Sequence, residues 1–186
     1  MLKRDIEKSK WTRTAPAYSR DGKQFYYLNV LPKEEGEDII LTVTETYDHE
    51  PTEDDEKTLI EKWTSLVRRA KLIEIDNYDK SENVNQFFIN ETAGWYDKAT
   101  RVGLVNSIAM EKTAGKETTV LYLGNESFEM PIEKAEDILQ KLELYAIDVY
   151  RKTQNHREAV SNETDSDIIE NYNYMEGYPE ILKFFI

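Results

Sequence analysis

Histidine and carboxylate chemistry is the first thing this 186-residue chain could offer, because it has no Cys and only two His. The absence of Cys excludes a disulfide framework, a thiolate zinc site and a cysteine nucleophile. His49 and His156 lie far apart, and neither has a second His at metal-ligand spacing. His49 sits among carboxylates, which should favour its protonated form. His156 falls on the inner stripe of a predicted helix, where a hydrogen-bonded packing role is expected.

Asp48, Glu50, Glu53 and Asp55 alternate within the acidic run EPTEDDE and its flank. Clustered carboxylates can hold Ca²⁺, but the central Gly and terminal Glu of an EF-hand loop are missing. The run reads instead as a solvated linker leading into a helix cap. Asp165 and Asp167 form a second short acidic pair, which also reads as a cap. The seven glycines form neither GxGxxG nor a Walker loop, and no serine lies in a GxSxG elbow. Three Asn-x-Ser/Thr sequons, at Asn90, Asn125 and Asn162, matter only where glycosylation occurs. The reading therefore assigns no catalytic residue, no cofactor-binding residue, no metal ligand and no cofactor.

Twelve tyrosines are the most unusual feature of the composition. Tyr172, Tyr174 and Tyr178 crowd the C-terminus beside Pro179, and Tyr145 and Tyr150 lie on a predicted helix. Tyr-rich surfaces serve recognition. Most of these rings are expected instead to fill a core short of aliphatic side chains.

The elements that must position these residues follow from periodicity. Gln24 to Leu31 and Asp38 to Tyr47 are rich in strand formers, with a loop containing Gly36 between them. Residues 1–50 thus read as a β-hairpin module with an irregular arm, and 51–186 as an α+β domain. Thr52 followed by Asp55 predicts an N-cap. Leu59, Ile60, Trp63, Leu66, Val67 and Ala70 predict a helix over 53–73, with Arg68, Arg69 and Lys71 in its last turns. Asp76 to Gln86 reads as a loop. A hairpin is expected at 86–97, from NQFFIN and GWYD. Asp97 caps a helix over 98–114, with Ala99, Val102, Val105, Ile108 and Ala109 on its inner face and Gly115 at C′. A hairpin at 118–130 turns at Gly124-Asn125. Pro131 starts the longest helix, 131–160. Its inner face is Ala135, Ile138, Leu139, Leu142, Tyr145, Ala146, Val149, Thr153, His156 and Val160. Ile168 to Tyr172 reads as one helical turn, and the aromatic tail ends in a short apolar strand. The fold class is α+β: small antiparallel hairpins packed against two or three helices.

Charge bounds the partners. The chain carries a formal charge of −13. Residues 1–33 hold 8 basic and 3 acidic side chains, whereas residues 34–56 hold 11 acidic and none basic. Direct binding to nucleic acid is disfavoured by the acidic balance. The longest apolar runs fall far short of the ~20 residues a membrane helix needs, and the basic start MLKRDIEKSK has no apolar core of a secretory signal behind it. A soluble protein is expected.

From about Tyr78 onward, four strings carry a resemblance: WYDKATRVGLVNSI (Trp95 to Ile108), TTVLYLGNESFEMPIEKA (Thr118 to Ala135), LELYAIDVYRKTQNHREAV (Leu142 to Val160) and YNYMEGYPEILKF (Tyr172 to Phe184). Their order resembles an uncharacterised family carried by phages and by prophages of gut bacteria, often beside tail or tail-fibre genes. Tyr96 and Tyr122 depart from its pattern. The resemblance covers residues 78–186 and carries over no catalytic residue. It implies a non-enzymatic structural or accessory protein of a phage or prophage, tail-associated. Such a protein would act in the bacterial cytoplasm or in the particle, through contacts with other particle proteins or with itself as an oligomer. The alternative is an acidic regulatory protein that occupies a basic host partner. A tail-borne glycan hydrolase, which would need two carboxylates across a cleft, is the remote one.

Overall fold

A computed structural model describes residues 26–30, 43–47, 49 and 52–186. The chain is α+β and divides into two units, each described by itself. One unit takes the described residues up to Ile73 together with Ala159–Tyr172, and the other takes Glu74–Glu158 with Asn173–Ile186. The elements in order are β1 (Tyr26–Val30), β2 (Val43–Tyr47), α1 (Glu53–Asp79), β3 (Phe87–Ile89), β4 (Thr92–Gly94), α2 (Lys98–Thr113), β5 (Thr118–Leu123), β6 (Glu126–Pro131), α3 (Ile132–Asn162), α4 (Ser166–Glu170) and β7 (Leu182–Phe184).

In the first unit β1 and β2 pair antiparallel, with Tyr26 opposite Tyr47 and Val30 opposite Val43. The ends of the two predicted strands, and the loop between them, lie outside the described residues. α1 opens on a capping box. The Asp55 N–H donates to Thr52 Oγ1 (3.3 Å), and the Thr52 N–H donates back to the Asp55 carboxylate (2.8 Å). Leu59, Trp63 and Val67, four residues apart, are buried. Ile60 and Leu66, expected on the same face, are more than a third exposed, because a 3.6-residue period carries them off the stripe. Arg68 donates through Nη2 to the Glu163 carbonyl (2.6 Å), and Val160 and Ile169 are buried. α4 is capped by Asp165, whose carboxylate accepts from Asp167 N–H (2.8 Å).

α1 does not stop at 73. It continues to Asp79, so the loop reading of Asp76 onward is corrected there, and Arg68, Arg69 and Lys71 are not in its last turn. The polar residues of this end are satisfied by tertiary partners. Asp76 pairs with Arg157, and Asp79 Oδ1 accepts from Thr153 Oγ1 (2.6 Å). Ile75, immediately before Asp76, is fully buried.

In the second unit β3 lies between β4, antiparallel, and β7, parallel. The second hairpin strand is Thr92–Gly94 rather than GWYD, because the Asn90-Glu91 turn already reverses the chain. Asn90 takes a left-handed φ of 54°, which Asn tolerates. Its side chain accepts from the Ile186 N–H (3.1 Å), and its N–H donates to the Phe184 carbonyl (2.7 Å), fastening the C-terminus. β5 and β6 form a separate two-stranded sheet closed by Gly124-Asn125. Gly124 has φ 61°, and Asn125 is not among the left-handed residues. That is the pattern of a II′ turn.

The core gathers Phe87, Ile89, Tyr96, Ile108, Leu121, Leu123, Met130 and the inner stripe of α3. Every residue predicted for that stripe within this unit is buried except Ala146, which is partly exposed. α3 starts at Ile132. Pro131 is the last residue of β6 and faces Thr118, so it precedes the helix rather than opening it.

Candidate functional site

α2 is where residue pattern and packing part company. Asp97 caps it, accepting from the Thr100 N–H (2.7 Å), and this bond holds the Asp97 carboxyl below its ordinary range. The C-terminus is a Schellman turn. Gly115, at φ 77°, donates to the Lys112 carbonyl (3.0 Å), and Lys116 N–H donates to the Glu111 carbonyl (3.1 Å).

Between these caps the inward stripe is Arg101, Leu104 and Ile108. The stripe predicted as inner is instead divided. Ile108 is 2% exposed, whereas Val102 and Val105 are each 51% exposed, and Ala99 and Ala109 are exposed too. Arg101 decides the rotation. Its Nε donates to Glu143 on α3 (2.8 Å), its Nη1 to the Tyr96 carbonyl (2.7 Å), and its guanidinium lies 5.4 Å from the Trp95 ring centroid. Three satisfied contacts let a charged group occupy the inward position that a valine would otherwise take.

A second ion pair, Lys112 Nζ to Glu136 (2.7 Å), joins the other end of α2 to α3. Arg101 meets Glu143 and Lys112 meets Glu136, so the helices run antiparallel side by side. One step outward from this seam stand Val102, Val105 and Ala109 on α2, and Ile147 (36% exposed) and Leu144 (55%) on α3. This is an exposed apolar face built on two rigid helices. From Val102 to Met110 α2 has no charged residue, in a chain that is 33% charged.

Two other places gather polar and titratable side chains. An open pocket of about 250 Å³ is lined by Asp79, Asn85, Trp95, Lys98, Arg101 and Tyr150, among others. Most of its polar groups hold the fold. Asp79 accepts from Thr153, Asn85 Nδ2 donates to the Asp79 and Ser81 carbonyls, and Arg101 is engaged as above. The other place surrounds His156, which is buried and lies 3.1 Å through Nε2 from the Glu176 carbonyl, so Nε2 carries the proton. Its ring packs on Tyr178 (5.5 Å), which also meets Tyr78 (5.3 Å) and Thr153 Oγ1 (3.1 Å). Burial lowers the His156 pKa, and Lys152 adds to this against the Glu176 bond. Tyr174 packs edge-on against Tyr78. These tail rings are packing groups fastening residues 174–178 to α1 and α3, whereas Tyr150 is 62% exposed.

Asp48 and Glu50 lie outside the described residues. Glu53 is exposed, and Asp55 serves the cap and meets His49 Nε2 at 3.1 Å. Among the described residues, no group of three or more His, Asp or Glu could hold a metal ion, and no helix is long and apolar enough to cross a membrane. Comparison with known proteins gives no matching family model, no matching curated protein and no matching solved structure.

Proposed function

We propose that this chain is a non-enzymatic structural or accessory protein of a phage or prophage, tail-associated, that works through protein–protein contacts. The observation that carries the reading is the exposed α2/α3 face. Val102 and Val105 hold half their surface in solvent on α2, which is capped at both ends and joined to α3 by two ion pairs. An apolar patch on a rigid support is the usual character of a docking surface. The phage context comes from the resemblance of residues 78–186.

The test is fractionation of particles from a host carrying the tagged gene. The chain is expected to co-sediment with particles, and the Val102→Glu, Val105→Glu double variant is expected to stay in the soluble fraction. A wild-type chain found only in the soluble fraction, with particles assembling normally, would contradict the reading.

A further inference from the structure

We draw no further inference here: the strongest candidate, the open pocket of about 250 Å³ between the last turn of α1, the start of α2 and the middle of α3, is lined by Asp79 and Asp97 as well as by Lys98 and Arg101, and with Asp79, Asp97 and Arg101 already bonded within the fold nothing in the structure says which class of ligand would fill it.

Discussion

Arg101 and Glu143 form the joint on which the rotation of α2 depends. The guanidinium Nε lies 2.8 Å from Glu143 Oε2, with the Arg101 side chain 8% exposed and that of Glu143 44% exposed. With Arg101 inward beside Leu104 and Ile108, Val102, one residue on and roughly 100° round the helix, faces out, and Val105 is 51% exposed as well.

The two partners of that joint differ in burial, and their substitutions should differ accordingly. Arg101→Ala removes a buried group that also supports the Tyr96 carbonyl, with a cost of about 2–3 kcal/mol. Glu143→Gln keeps an acceptor at a half-exposed position and should cost less than about 1 kcal/mol. Urea denaturation of both variants checks the ranking.

This joint also marks the limit of what the sequence discloses. The inner face of α3 was legible throughout, because its apolar residues recur at one period and no second stripe competes. α2 carries two candidate stripes, one through Val102, Val105 and Ala109 and one through Arg101, Leu104 and Ile108. Hydropathy alone prefers the first. Among the deciding terms is the hydrogen bond of Arg101 to Glu143, 42 positions away, which no local window contains. The parallel pairing of β3 with β7 is hidden for the same reason, since Phe87 and Leu182 meet only in the fold. The Thr52 cap, the Asp97 cap, the Gly115 terminus and the Gly124-Asn125 turn are local chemistry and were readable. The absence of a catalytic motif left the site to be found from exposure, a property the sequence does not carry.

Gly94 and Gly103 should respond in opposite ways to alanine. A Cβ on Gly94 would overlap the Leu123 side chain, with Leu123 Cγ at 2.7 Å, and Leu123 is 2% exposed in the core. Gly94→Ala is expected to destabilise by about 1–3 kcal/mol, with part recovered in the Leu123→Ala background. A Cβ on Gly103 meets nothing within 4 Å, so Gly103→Ala, within α2, should stabilise by up to about 1 kcal/mol. Thermal unfolding of the dilute protein reads both.

Tyr96 and Tyr145 are similarly buried, at 6% and 4% exposure, but only one hydroxyl is satisfied. Tyr96 OH donates to the Tyr122 carbonyl (2.7 Å), whereas Tyr145 OH has no hydrogen-bond partner among the described residues. Tyr96→Phe should cost about 1 kcal/mol, and Tyr145→Phe should be neutral or slightly stabilising. Burial pushes the Tyr96 phenol up to about 12, so in a spectrophotometric titration it should ionise well after the exposed tyrosines.

His156 should make stability fall in mild acid. Its folded pKa lies below its ordinary 6.5, first because burial disfavours the cation and then because Lys152 repels it. Above pH 6.5 both folded and unfolded states are neutral at this ring, and its contribution is fully present. Below 6.5 the unfolded chain takes up a proton before the folded one does, so stability declines as pH drops toward the lowered value. Replacing His156 with Gln should flatten that part of the profile, as read by chemical denaturation from pH 7.5 to 5 at about half-unit steps. An unchanged slope would assign the acid sensitivity to other groups.

The outward rotation of α2 is the claim on which the contact role stands, and thiol reactivity in this cysteine-free chain tests it most directly. Single Val102→Cys and Ile108→Cys variants would be labelled with a maleimide in dilute, folded protein. The account predicts rapid labelling of position 102 and protection of position 108. Protection at 102 with ready labelling at 108 in dilute, folded protein would contradict it.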